Sequence, residues 1–192
     1  GGSLRYFSLG SIQFTDASGN FLKEYKPNEF ALDAGYSRKL SDVFSAGLML
    51  RYIYSNLAKG MELNGVPIKS GNSVAADLGF FYTNEIELGQ SDGQLSFGLN
   101  VSNIGAKITY TADASNKDYL PTNMGLGSAL QLELDDYNQI TFGADINKLL
   151  VPTPVPTGEH RNQSVPSAIF GSFSDAPGGF SEEMKLKCFV FI

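Results

Sequence analysis

The chain has 192 residues, a formal net charge of −6 and only 18% charged residues, which is low for the surface of a soluble protein. It contains no block of Lys or Arg, so nucleic-acid binding is not expected. Its one cysteine, Cys188, excludes an internal disulfide and a Cys-x-x-Cys zinc site. No run of about 18 apolar residues predicts a transmembrane helix, although β-barrels cross membranes without such runs.

Long stretches of the chain alternate apolar residues with small or polar ones. In 139–147, for example, Ile140 and Phe142 share one face, whereas Thr141 and Asp145 share the other. A period of two predicts β-strands, and eleven residues at a barrel's tilt span roughly 27 Å, the thickness of a bilayer core. Seven long strands and a weaker eighth are predicted, in chain order at 3–14, 28–40, 43–56, 72–84, 94–110, 122–134, 139–149 and 184–192.

The predicted connections alternate between short and long. The short ones are 41–42, 85–93 and 135–138, and the long ones are 15–27, 57–71, 111–121 and 151–183. Bacterial outer-membrane barrels have short periplasmic turns and long outer loops. The sequence therefore predicts an all-β protein, an antiparallel transmembrane β-barrel of the bacterial outer membrane.

Segment 151–183 is predicted to be a long extracellular loop. Its prolines, three of them between Val151 and Pro156, cannot donate to a strand ladder. Two interpretations stay open: a loop with a short helical piece that folds over or into the lumen, and a disordered segment.

The polar face carries a sparse set of charges, namely Asp33, Lys39, Arg51, Asp77, Glu133 and Asp145. An arginine on the lipid face near the midplane would cost about 2–4 kcal/mol, so these side chains are predicted to face the lumen. The candidate site residues are Asp33, Arg51, Asp77 and Asp145. Arg51 is expected to pair with Asp33 or Asp77 on neighbouring strands. A network that stiffens the wall is favoured over a selectivity site.

No catalytic or metal-binding set has suitable spacing. His160 is the only histidine, and no nucleophile elbow accompanies it. Residues 16–20 lack the repeated acids and the closing Glu of a calcium loop, so they predict a turn. The chain is therefore not expected to be an enzyme or to hold a cofactor or metal.

Several strings of the sequence resemble those of a known family. They are AGYSRKLSD at 34–42, LMLRY at 48–52, NSVAADL at 72–78, DYLPTN at 118–123, DINKLLVPTP at 145–154 and SFSDAPGGF at 172–180. From about residue 3 to residue 183 the chain resembles the PorV family of the type IX secretion system of Bacteroidetes. Residues 184–192 do not follow the pattern expected after that region.

The resemblance implies a barrel like that of the fatty-acid transporter FadL, with about fourteen strands in the outer membrane. It also implies a carrier that binds the C-terminal signal domains of secreted cargo and passes them from the translocon barrel to the surface sortase complex, among lipid and lipopolysaccharide. Seven or eight strands make about half of such a barrel. We therefore expect residues 1–192 to be one partial barrel domain, an internal fragment whose beginning and end are missing.

Two alternatives stay open. The first is a FadL-like transporter of long-chain fatty acids or other hydrophobic small molecules, which needs an apolar lumen. The polar, glycine-rich face disfavours it, although Met49, Ile53 and Phe81 share that face. The second is a soluble, lipocalin-like binder, in which apolar residues would line a closed interior and polar ones would face water.

Overall fold

The computed structural model describes residues 1–63, 65–89, 91–112, 117–135, 137–154 and 159–191. Strands make up 61% of the structure. They are β1 (Gly2–Ser8), β2 (Ile12–Thr15), β3 (Phe21–Tyr25), β4 (Asn28–Lys39), β5 (Phe44–Asn56), β6 (Glu62–Leu63), β7 (Val66–Pro67), β8 (Gly71–Leu88), β9 (Ser91–Gly105), β10 (Asn123–Asp135), β11 (Asn138–Leu149) and β12 (Cys188–Phe191). A 3₁₀ turn (Glu159–Asn162) and helices α1 (Val165–Gly171) and α2 (Phe180–Lys187) lie between β11 and β12.

Eight of these strands form one antiparallel sheet in the order β1-β4-β5-β8-β9-β10-β11-β12, which curls into a half-barrel. β2 pairs with β3, and β6 pairs with β7, as two small hairpins. At one end of the sheet, β4 and β5, β8 and β9, and β10 and β11 are joined by short turns. The other four connections are long, and we call their side the long-loop end. The predicted alternation of short and long connections is therefore confirmed.

The sequence-based strand limits were wrong at three places. The strand predicted at 3–14 breaks at Gly10, whose φ of 75° favours glycine, and part of the predicted loop 15–27 forms the β2–β3 hairpin. The strand predicted at 94–110 ends at Gly105. The strand predicted at 184–192 is divided: residues 184–187 belong to helix α2, which has two acids in its first turn, and residues 188–191 form β12.

The turn of the β2–β3 hairpin is held by one carboxylate. Asp16 accepts hydrogen bonds from the backbone N–H groups of Ser18 and Asn20, at 2.8 and 2.9 Å, and from the Asn20 side-chain amide at 2.9 Å. The amide of Asn20, together with these N–H groups, lowers the pKa of Asp16. Residues 16–20 are thus a turn, as predicted.

The apolar face of the sheet is open rather than packed into a core. Leu32, Leu78 and Phe142 are 55%, 37% and 57% exposed. In the described part of the chain, six hydrophobic residues are buried, namely Ala75, Ile108, Leu120, Leu150, Ala168 and Ala176. A soluble β-barrel of the lipocalin type would bury this face, so its exposure disfavours that alternative.

We infer that the polar face is the concave side of the curled sheet, because a groove of about 580 Å³ on this face is lined by residues of six neighbouring strands, β4, β5, β8, β9, β10 and β11. The groove lining includes glycines, polar residues and apolar residues, among them Gly79, Gly98, Gly127, Asp145, Asn147 and Phe81. Within the described residues, no helix has the length and apolar character needed to cross a membrane.

Candidate functional site: an ion network on the concave face

Three of the four predicted site residues meet on the concave face. Asp33 on β4 and Arg51 on β5 are direct partners in the strand register. The Arg51 Nε donates to Asp33 Oδ1 at 2.7 Å, and its Nη2 donates to Asp77 Oδ2 on β8 at 2.9 Å. The side chains of Arg51, Asp33 and Asp77 are 11%, 2% and 16% exposed. The predicted pairing is thus confirmed, and Arg51 contacts both carboxylates at once.

A second arginine completes the charge balance. Arg5 on β1 donates through Nη2 to Asp33 Oδ2 at 2.7 Å, and the Ser3 hydroxyl donates to the same oxygen at 2.8 Å. Two arginines therefore face two aspartates across β1, β4, β5 and β8. The network ties four neighbouring strands together, and such fully bonded pairs are the form in which buried charge is tolerated.

A bulge on β9 brings in Asn103, which the sequence analysis did not single out. The β8–β9 register shifts so that Ser102 and Asn103 together oppose Asp77. Asn103 has a φ of 58°, a left-handed conformation that asparagine tolerates better than most residues. Its N–H donates to Asp77 Oδ1 at 2.7 Å, and its Oδ1 accepts from Arg51 Nη1. The only sequence signal was an Asn close to a Gly at the end of a long strand.

The connection that follows β9 folds onto the concave face instead of continuing the wall. Its described parts, 106–112 and 117–122, are here called the inward arms. Ile108 and Leu120 from the two arms pack on Ala75, and Ile53 flanks this cluster. The arms are joined by mutual backbone hydrogen bonds of 2.9 and 2.8 Å between Ile108 and Asp118. Ala75 and Ile53 share the face of the network, so the arms cover part of it at the long-loop end.

The inward arms are bonded directly to the network. The Asn103 Nδ2 donates to the Pro121 carbonyl at 3.2 Å, and the Thr122 hydroxyl donates to the Asn103 carbonyl at 2.9 Å. Further out, the Tyr110 hydroxyl donates to the Ser55 hydroxyl at 2.9 Å. The DYLPTN string of the sequence analysis is therefore an anchored arm and not a free loop.

The fourth predicted residue, Asp145, lies apart from the network. It is on β11, opposite Gly127 of β10, and is exposed on the rim of the concave groove. The Asp145 carboxylate leans over Gly127, and the exposed Asp145 side chain would have to rotate to admit a Cβ at position 127.

The segment after β11 is folded and clasped to the sheet, so the predicted helical piece is present. The Lys148 ammonium lies 2.8 Å from Glu183 Oε1, and both side chains are almost fully buried. The Phe173 ring lies over this ammonium, with its centroid 5.1 Å away. Glu183 Oε2 also accepts from the Ala176 N–H at 3.1 Å. A buried lysine with one carboxylate and one ring fixes α2 against the end of β11.

A second clasp joins the proline-rich stretch to the helical segment. Asp175 accepts from the Thr153 N–H at 2.7 Å and from the Thr153 hydroxyl at 2.9 Å. The Ser164 side chain caps α1 by accepting from the Ser167 N–H. The contact of Thr153 with Asp175 thus ties the end of the DINKLLVPTP string to the helical segment that contains the SFSDAPGGF string. We call this segment at the long-loop end the loop module (159–187).

The comparison of this sequence with known protein families shows which family the chain belongs to. A family model described as type IX secretion system protein PorV matches residues 1–156. The chain belongs to the PorV family. The match includes every residue of the network and of the inward arms, whereas the loop module lies beyond it. No curated protein matches the chain in sequence. PorV proteins are components of type IX secretion, so this chain is involved in that process, and its open apolar face is consistent with a membrane-associated location.

Proposed function

We propose that this chain is part of an outer-membrane barrel that binds the C-terminal signal domains of secreted cargo and passes them from the translocon to the surface sortase complex. The observation that carries this proposal is the PorV match over residues 1–156. The handover itself, the cargo and the sortase complex are drawn from the family resemblance and need direct tests.

The orientation of the two faces supports a place in the membrane wall. The outward face exposes Leu32, Leu78 and Phe142, whereas the concave face holds the paired charges. Lipid chains solvate the apolar outward face well, and a water-filled lumen solvates the paired charges of the concave face. Among the residues that the structure describes, one edge of β1 and one edge of β12 have no partner strand in the sheet. Unpaired edges are too costly in lipid, so we propose that further strands close a FadL-like barrel.

The long-loop end is the proposed cargo surface. Phe170 of α1 is 78% exposed there, and Phe21 and Leu22 of the β2–β3 hairpin are each 61% exposed. Exposed aromatic side chains on rigid, capped elements favour protein contact, because large rings bury much area at small entropic cost. At the opposite end of the sheet, Tyr137 is 94% exposed and offers a matched control.

The test is capture of a cargo signal domain by the full-length protein, purified from cells with an active translocon. We expect the wild type and Tyr137→Ser to retain the signal domain and Phe170→Ser to retain several-fold less. Absence of any captured domain with the wild type would contradict the proposed function. If Tyr137→Ser alone failed to retain the signal domain, the cargo surface would lie at the end of the sheet with the short turns, and the proposed orientation would be contradicted.

The alternative of a fatty-acid transporter draws on the same groove, whereas the family match supports secretion. The groove lining combines glycines and polar residues such as Asn100 and Asp145 with apolar ones, namely Phe80, Phe81, Leu99 and Leu126, so an acyl chain would meet apolar surface there. A titration of the complete barrel with a long-chain fatty acid separates the two functions. Saturable binding at micromolar concentration would favour the transporter.

A further inference from the structure

We propose that Asn103 is a latch, through which the ion network holds the inward arms closed over the concave face. This inference does not rest on cargo binding. It concerns how the long-loop end of the concave face is covered, whatever the barrel carries.

The first support is the distribution of the four polar groups of Asn103. Its N–H and its Oδ1 bind the wall, through Asp77 and Arg51. Its Nδ2 and its carbonyl bind the inward arms, through Pro121 and Thr122. Every polar group of this residue is therefore used, two on each side of the junction between wall and arms.

The second support is that only asparagine meets all the demands of this position. The φ of 58° favours Gly, Asn or Asp. Glycine would keep the two backbone bonds and lose both amide bonds. Aspartate would still accept from Arg51, but it would place a carboxylate oxygen against the Pro121 carbonyl, where a donor is needed.

The third support is that the apolar packing beneath the arms is small. The buried cluster there consists of Ala75, Ile108 and Leu120. The arms also make polar contacts outside Asn103, to the wall and the end of β11 through Ala106, Tyr110 and Thr122, and to the loop module through Lys107, Asp118 and Tyr119. Asn103 adds the bonds that join the arms to the ion network, so we expect their loss to ease local opening of the arms.

Hydrogen exchange of the full-length protein in nanodiscs tests the latch. In Asn103→Gly and Asn103→Asp, amides of 106–112 and 117–122 are expected to exchange on the order of tenfold faster, since each variant loses at least one hydrogen bond to the arms. Amides in the middle of β10 should keep their rates. The control is Asn100→Ala, which changes an asparagine of the same strand at the groove and should alter neither region.

A second variant keeps the test decisive if Asn103 proves essential for folding. Thr122→Val removes the hydroxyl's bond to the Asn103 carbonyl, together with its longer contact of 3.5 Å to the Leu120 carbonyl within the arm, and leaves the network intact. The arms should then exchange several-fold faster, and the wall should keep its rates. Labelling of Ala75→Cys, beneath the arms, by a polar maleimide should accelerate in parallel. Unchanged exchange of the arms in these variants would overturn the latch. Equal acceleration of arms and wall would also overturn it, because Asn103 would then support only the sheet.

Discussion

Replacement of Arg51 by alanine is the most direct test of the network. The change removes charge-assisted hydrogen bonds at 2.7 Å to Asp33 and at 2.9 Å to Asp77, and a further bond to Asn103. Two such bonds contribute about 3–6 kcal/mol if their energies add. The two aspartates keep other donors, Arg5 among them, and Arg51 is not fully buried. We therefore expect a loss of about 2–4 kcal/mol in the free energy of unfolding.

Two matched variants sharpen the Arg51 prediction. Arg51→Lys keeps the charge but cannot bind both carboxylates through a planar fork, so it should lose about half as much stability. Arg5→Ala removes one ion pair to Asp33 from a side chain that is 61% exposed, and it should cost less than about 1 kcal/mol.

The assay is urea unfolding of the full-length protein in detergent, followed by tyrosine fluorescence. Heat-dependent migration in electrophoresis gives an independent reading of the folded fraction. If Arg51→Ala were as stable as Arg5→Ala, the network would not be a principal brace of the wall.

Three further predictions test other parts of the structure. Phe142→Arg on the outward face should destabilise the protein in lipid by about 2–4 kcal/mol, whereas Thr141→Arg on the concave face should change stability little, as measured by urea titration in vesicles. Lys148→Ala leaves a buried carboxylate without its cation, so protease should cut the loop module at least tenfold faster than in the wild type; equal rates would contradict the clasp. The Asp16 carboxyl group should titrate in an NMR experiment with a pKa below its ordinary value of 3.8, because the Asn20 amide and nearby N–H groups stabilise the carboxylate. The stabilisation that Asp16 gives the turn is then complete above that ordinary pKa and is lost as pH falls through the lowered value; an unshifted pKa would show that these hydrogen bonds do not form in solution.

The wall was predictable from the sequence because its information is local. An alternation of period two sets both the strand and the face of each side chain, so Asp33, Arg51 and Asp77 could be placed on one face before their contacts were known. Strands that follow one another in a meander pair with each other whatever the length of their connection, which made the pairing of Arg51 with these aspartates predictable as well. The same alternation places Asp145 on this face, but Asp145 lies on β11, too far along the sheet to join the network.

The long-loop end was less predictable because its contacts join distant residues. Lys148 follows the alternation onto the outward face, where an isolated lysine would be costly. Its partner Glu183 is 35 residues further along the chain, at the end of the segment predicted to be a long loop. Phe173, from another segment, covers the ion pair. No period of two or 3.6 residues encodes such a clasp, so only the folded chain reveals it.

The β9 bulge shows why the end of the wall and the latch depend on the same residue. An extra residue in one strand breaks the ladder and raises the local twist, and pairing of β9 with β8 stops at Gly105, soon after Asn103. A side chain at position 105 would collide with Ala75 and Leu120, so glycine is required where the chain turns inward. Asn103 therefore redirects the chain through its backbone and holds the redirected arms through its amide. A substitution that repaired the strand at this point would extend the wall and remove the cover together.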